Sequence, residues 1–335
     1  MKVLLTGHNG YIGSVMSTKL QEAGHEVVGL DTNYFKYDTF GFSPVIPEIV
    51  KDIRDVSVSD LAGFDAIIHL AALSNDPMAE IDQDLTYDIN LFATLRLAQV
   101  AKFAGVKRFL FASSCSVYGA GAMTEDGTLY PISAYAISKV RSEEGLERLS
   151  DSDFSPTFLR NGTAYGYSPR FRTDLVLNKM VADACIYGKI TVMGDGSLWR
   201  PLVHVEDISR AFIMCLENPR EIVHNQVFNV GGNEENYHVR EMAEIVKYAV
   251  LNTEIEHVDN GKDARSYIVD FSKIKDVLGF IPQWRAVDGA MELKKKYKES
   301  GVTKGFLENF VRLTQLKKLM KEKRVDEQLR WRRNG

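Results

Sequence analysis

Cysteine is scarce in this chain, with three in 335 residues. Cys115, Cys185 and Cys215 are scattered and show no metal-ligand spacing, which excludes a disulfide scaffold and fits a reduced, cytoplasmic chain with no bound metal. Proline is sparse too, and nine Pro with 25 Gly exclude a collagen-like or low-complexity chain. No apolar run approaches the ~18 residues of a membrane span. The N-terminus passes from Val3, Leu4 and Leu5 straight into a Gly-rich turn, without the longer apolar region of a signal peptide. A cytoplasmic protein with no membrane partner is expected. An excess of one charge is also missing: 41 Lys+Arg against 45 Asp+Glu leave a net charge of -4, which gives no reason to expect a nucleic-acid partner. What remains is ordinary globular usage, 45% hydrophobic and 26% charged, at about twice the ~150 residues of a typical domain.

The first 160 residues alternate short apolar runs with amphipathic stretches, the pattern of βαβ units on a parallel sheet. Strands are expected at 3–6, 26–30, 66–70, 107–112 and 157–159, and helices at 11–23, 82–104 and 134–149. Residues 32–51 form a long polar and aromatic connection. After residue 160 the alternation loosens: helices are expected at 175–187, 205–216, 239–250, 272–278 and 286–297, and strands at 190–193 and 226–230. A last helix is expected over 305–335. From Val311 on it holds nine Lys/Arg and three Asp/Glu; it is read as a solvated helix end, with a docking tail for an acidic partner or an anionic surface as the alternative.

Gly7-His8-Asn9-Gly10-Tyr11-Ile12-Gly13 follows a strand and opens a helix. Such a turn lets backbone N–H groups approach a pyrophosphate at the positive helix end. Asp31 ends the next strand, where a carboxylate accepts adenosine-ribose hydroxyls and repels a 2′-phosphate, favouring NAD over NADP. The spacing Gly7-x-x-Gly10-x-x-Gly13 resembles that of the extended short-chain dehydrogenase/reductase superfamily, in particular its NAD-dependent epimerase/dehydratase family of nucleotide-sugar enzymes. The resemblance continues at Asp52-Ile53-Arg54-Asp55, at His69-Leu70-Ala71-Ala72 and at Asn90, and runs to about residue 285. It implies NAD contacts from Gly7, Gly10, Tyr11, Ile12, Gly13, Asp31, Asp52, Ile53, Leu70, Ala71, Ala72, Asn90, Ser113 and Asn161.

Tyr135 and Lys139 stand four apart in a helical stretch and share one face. A phenol with a pKa of about 10 is a poor base at pH 7, and a neighbouring ammonium favours its phenolate. Ser113-Ser114-Cys115-Ser116-Val117-Tyr118-Gly119 resembles the family's hydroxyl motif, which implies that Ser114 bonds the reacting sugar oxygen while Tyr135 moves its proton and Lys139 also holds the nicotinamide ribose. In the family's 4,6-dehydratases the positions of Cys115 and Ser116 are typically Asp and Glu. A thiol and a hydroxyl do not readily replace that acid–base pair, so Cys115 is read with Ser116 as a polar wall of the substrate pocket, the alternative for Cys115 being a proton donor or acceptor in an unusual elimination.

The resemblance implies further sugar-nucleotide contacts from Ser74, Thr163, Asn178, Arg200 and Arg265. Thr163 stands where the family usually has Asn in Arg-x-x-Asn, which puts the diphosphate contact of that segment in doubt. Ser74-Asn75-Asp76-Pro77 either reaches the hexose or simply turns the chain. His69 and His204 are expected in the core, and His8 facing phosphates or solvent.

The expected fold is α/β, a doubly wound parallel Rossmann sheet of about seven strands with a smaller α/β C-terminal substrate lobe. Residues 1–165 with 196–224 make the first part, 166–195 and 225–300 the lobe, and 301–335 a basic helix. A homodimer through helices 82–104 and 134–149 is implied by resemblance. The expected activity is NAD-dependent epimerisation of a nucleotide-diphosphate sugar through a transient 4-keto sugar. The alternatives are a net C4 dehydrogenase or 4-ketoreductase, a dehydratase, and a non-catalytic binding regulator.

Overall fold

Val3, Leu4 and Leu5 are fully buried, because their strand, Lys2–Thr6, has a parallel neighbour on each edge, Glu26–Asp31 and Ala66–His69. An apolar run without alternation suits a strand covered on both faces. The computed structural model describes residues 1–43, 45–74, 82–259, 265–301 and 303–332. Asn75, Asp76 and Pro77 lie outside the described residues.

The large sheet has seven strands in the order Val227–Val230, Ser155–Asn161, Arg108–Ser114, Ala66–His69, Lys2–Thr6, Glu26–Asp31 and Glu48–Val50. Every pairing in it is parallel. The chain builds outwards from Lys2–Thr6 to one edge and from Ala66–His69 to the other. That reversal opens a crevice beyond the C-terminal ends of the two central strands, the usual ligand position in an open α/β sheet. On one face Leu97 and Leu146 of the Ala93–Phe103 and Ala134–Glu147 helices meet Phe109 and Phe111. On the other face the Tyr11–Glu22 and Val205–Glu217 helices bury Met16, Leu20, Ile208 and Phe212. The sheet is therefore doubly wound.

A second apolar core holds Leu177, Val181, Val246, Ala290 and Leu293, from helices Val176–Tyr187, Val239–Ala249 and Ala286–Ser300. Beside it Lys189–Met193 pairs in parallel with Glu254–Val258.

Several sequence expectations are corrected. Residues 227–230, expected in the smaller lobe, form an edge strand of the large sheet, where Phe228 and Val230 are fully buried. Glu48–Val50 is a strand at the opposite edge, inside the presumed connection; three half-exposed edge residues carry no periodic signal. The helix expected over 82–104 is broken by a π turn at Asp88–Phe92, a distortion common at functional sites.

The C-terminus is not one helix running into solvent. Helices Lys304–Glu308 and Arg312–Lys321 are followed by a turn closed by a Val325–Trp331 bridge. This segment lies back on the first domain, where Leu316, Leu319, Val325 and Leu329 join the core of Leu4, Leu30 and Ile53. Arg330 pairs with Asp55 and, at 3.4 Å, with Asp52. Trp331 Nε1 donates to Thr32 O at 2.6 Å, and Tyr34 donates to Leu329 O.

Candidate active site

The crevice is floored by the Gly-rich turn. Gly7 has φ 73°, and a Cβ there would come 2.8 Å from Ala71 N, where the loops after the two central strands meet. A Cβ on Gly13 would stand 2.2 Å from Gly7 O and 2.6 Å from His8 Cα, so only glycine lets turn and helix pack this closely. Gly10 caps the Tyr11–Glu22 helix without a side-chain bond, and no acidic residue stands in the first turn. Its positive end is thus left to face the cleft.

The Asp31 carboxylate accepts from Asn9 N at 3.0 Å and Asn33 N at 2.7 Å, which ties the second strand to the turn. Burial works against ionisation of Asp52, but the Arg54 guanidinium holds its carboxyl below the usual range. Asp31, Asp52 and Ile53 line one end of the cleft with Tyr34 and Phe35. His8 does not reach it. Its ring packs against Gly29, where a Cβ would come within 2.3 Å, and its Nε2 lies 3.2 Å from Glu48.

Leu70, Ala71, Ala72 and Ser74 line the cleft after the Ala66–His69 strand. Asn90, expected to touch the cofactor, instead holds this loop from the π turn: its side chain accepts from Leu73 N at 2.8 Å and donates to Leu73 O at 3.0 Å.

At the other end Ser113, Ser114, Ser116, Tyr135 and Lys139 come together on the cleft wall. Ser114 ends its strand and accepts from Ser116 N at 3.2 Å. Ser133 caps the Ala134–Glu147 helix by accepting from Ala136 N at 3.1 Å, which sets Tyr135 in the first turn and Lys139 one turn deeper. Lys139 Nζ donates to Ala112 O at 2.7 Å and lies 5.7 Å from the Tyr135 ring centroid. Burial pushes the Lys139 pKa down to about 8. A lysine so depressed penalises folding fully below pH 8, and the penalty fades as pH rises towards the unfolded value. Lys139→Met is therefore expected to stabilise the cofactor-free protein at pH 7 by about 3 kcal/mol, with the gain shrinking between about pH 8 and 10.5. Denaturant titrations at pH 7, 8.5 and 10 check this; equal differences at all three would contradict it.

Asn161, Thr163 and Arg265 line the cleft. Three other residues expected there do not line it. The Cys115 thiol points into the protein and donates to Arg160 O at 3.2 Å, and burial pushes its pKa far up. Asn178 bridges elements: its Oδ1 accepts from Gly166 N at 3.0 Å, and its Nδ2 donates to Arg172 O at 3.0 Å. Arg200 stands behind Arg265, donating to its carbonyl at 2.5 Å. Each was placed by motif alone, and a strand or loop register does not specify which way a side chain turns. His69, between Thr6 and Thr94 hydroxyls at 2.7 and 2.8 Å, is driven neutral by burial, its pKa down to about 3. His204 stacks on Trp284 with centroids 4.0 Å apart. Both are core histidines.

Motif reading missed Arg172, Tyr267 and Arg312, which line the cleft. Tyr34 and Phe35 carried a faint signal, as aromatics in an otherwise polar connection.

The sequence model of the NAD dependent epimerase/dehydratase family matches residues 3–231. The chain belongs to that family. It is 31% identical over 310 residues to a UDP-glucose 4-epimerase of Mycolicibacterium smegmatis, covering 86% of this chain and 96% of that one. Among solved structures it resembles MoeE5 in complex with UDP-glucuronic acid and NAD, at TM-score 0.78 and 27% identity, over 90% of this chain and all (100%) of the other. It also resembles DesIV, a dTDP-glucose 4,6-dehydratase of Streptomyces venezuelae with NAD bound, at TM-score 0.78 and 26% identity, over 91% and 100%. The residues present fit the family's NAD. The uncapped helix end opens on a cleft that Asp31 and Tyr135 also line. On the cleft wall, Asn161 Oδ1 and Ser116 Oγ are buried without a partner among the described residues, as acceptors kept for a polar ligand would be.

Proposed function

We propose that the protein is an NAD-dependent nucleotide-sugar 4-epimerase. NAD, held by the Gly-rich turn, Asp31, Asp52 and Lys139, supplies reversible hydride acceptance when bound. Ser114 hydrogen-bonds the sugar hydroxyl at the reacting carbon. Tyr135 takes that proton during oxidation and returns it during reduction. The Lys139 ammonium behind the phenol favours the phenolate while the proton is away.

One observation carries the choice of epimerisation over elimination. The carboxylates among the described residues lining the cleft are Asp31 and Asp52, and both stand at the dinucleotide end. Beside Tyr135 the wall offers hydroxyls, and the Cys115 thiol is turned away. Loss of water needs a strong acid and base at C5 and C6, and this wall supports neither. A homodimer through the Ala93–Phe103 and Ala134–Glu147 helices belongs to the proposal. Phe92 and Phe103 at that face are 61% and 85% exposed, an apolar display that suits a helix-on-helix contact.

The purified chain, without added cofactor, is incubated with UDP-, dTDP-, GDP- and CDP-hexoses and the products are separated by chromatography with mass detection. A new peak of unchanged mass is expected. Loss of water would overturn the proposal in favour of a dehydratase. Product formation only on addition of NAD(H) would replace it with a net dehydrogenase or 4-ketoreductase.

A further inference from the structure

Arg312 is a cation in an unusual position. It is 2% exposed and lines the cleft, yet it comes from the C-terminal segment, beyond the residues matched to the family. Its Nη2 donates to Arg170 O at 2.7 Å, and its Nη1 is buried with no hydrogen-bond partner among the described residues. The guanidinium sits 4.1 Å from the Phe35 ring centroid. Arg172, also on the cleft wall, is paired with Asp174 at 2.8 Å, whereas Arg312 makes no ion pair among the described residues. Burial first, then the nearby Arg172 and Arg170 cations, push the Arg312 pKa down to about 9 against the pull of the Asp174 and Asp38 carboxylates, neither of which pairs with it. A buried cation with a spare donor is costly to keep unless an anion meets it.

The cleft itself indicates which anion. Phe35 joins Asp31, Tyr34 and Asp52 at the dinucleotide end, and the same cleft holds the uncapped, acid-free start of the Tyr11–Glu22 helix. Both lining carboxylates are engaged, Asp31 with Asn9 and Asn33 amides and Asp52 with Arg54. Helix end and guanidinium thus line one cleft, with no uncommitted carboxylate among its described lining residues. A diphosphate answers both: the helix N–H groups take one side of it, and a planar cation suits two oxygens on the other.

We infer that Arg312 is a cofactor-binding residue that clamps the diphosphate of the dinucleotide, so that the C-terminal segment completes the cofactor site. This rests on the NAD reading above. Phe35 packs against the guanidinium, and the contacts of Tyr34, Thr32 and Asp52 with Leu329, Trp331 and Arg330 fasten the segment over the same end.

The full chain, freed of bound nucleotide with charcoal, is titrated calorimetrically with ADP-ribose, adenosine and UDP, as wild type, Arg312→Lys and Arg312→Met. Lys and Met fill similar volumes, so the difference between them isolates the charge. ADP-ribose affinity is expected to fall roughly tenfold to a hundredfold in Arg312→Met and less in Arg312→Lys, as for a charge-assisted hydrogen bond. Adenosine and UDP affinities are expected to hold, and the empty Arg312→Met protein to melt no lower than wild type. Equal affinities of Lys and Met variants for ADP-ribose overturn the inference, as does a Met variant that melts lower or fails to fold, which marks a structural guanidinium. A loss confined to UDP assigns Arg312 to the sugar nucleotide instead and also overturns it. Wild type that binds no ADP-ribose at all defeats the NAD reading itself, a result distinct from these.

Discussion

Tyr135→Phe is expected to reduce turnover about 10²–10⁴-fold, the span of a lost general acid–base group, while bound NAD stays at the wild-type amount. In the proposed mechanism the phenol hydroxyl is the group that moves the proton. Its ring is held by the helix start at Ser133 and stands 5.7 Å from Lys139 Nζ, an arrangement that Phe preserves. Cofactor content after acid precipitation and single-turnover rates measure the two effects separately. A variant that keeps wild-type turnover would transfer the proton to another group and remove Tyr135 from the mechanism.

The second large effect concerns stability. Arg160 begins the segment where the family's diphosphate contact was in question. The structure places its guanidinium in the interior, where it bonds Glu143 at 2.6, 3.1 and 3.2 Å and Tyr118 Oη at 3.0 Å. Arg160 and Glu143 are 4% and 7% exposed. Arg160→Met strands the Glu143 carboxylate without its cation and is expected to cost about 3–5 kcal/mol, the usual price of breaking a buried pair from one side. Arg160→Met with Glu143→Leu removes both charges and is expected to recover much of that loss. Denaturant midpoints at fixed slope measure it. The KM for the sugar nucleotide is expected to stay near wild type in the double variant; a large rise there would restore Arg160 to the substrate site.

The stability and the chemistry meet in one place. Glu143 also accepts from Ser113, and Lys139 lies one helical turn before it on the same helix. A paired charge therefore sits directly behind a lysine whose own burial is unfavourable. The expected gain from Lys139→Met is the measure of what the fold gives up to keep an ammonium beside Tyr135.

The sequence by itself determined the parallel sheet, the Gly-rich turn, Asp31 at a strand end and the shared face of Tyr135 and Lys139, to which the resemblance to the family's hydroxyl motif added Ser114. These are set by relations within a few residues: an apolar run bounded by glycines, a helix repeat of i and i+4, a hydroxyl at a strand end. Their side-chain directions follow from the element that carries them. Tertiary structure alone decided that Arg160 pairs inward with Glu143, that Asn90 pins a loop, that Cys115 faces away, and that residues 303–332 fold back over the dinucleotide end. Arg312 lies 277 positions after Phe35 in the chain, and no local pattern encodes that meeting. A charge in a sequence is only a sign; its partner is chosen by whichever distant surface buries it, because desolvation makes the paired arrangement the one the fold retains.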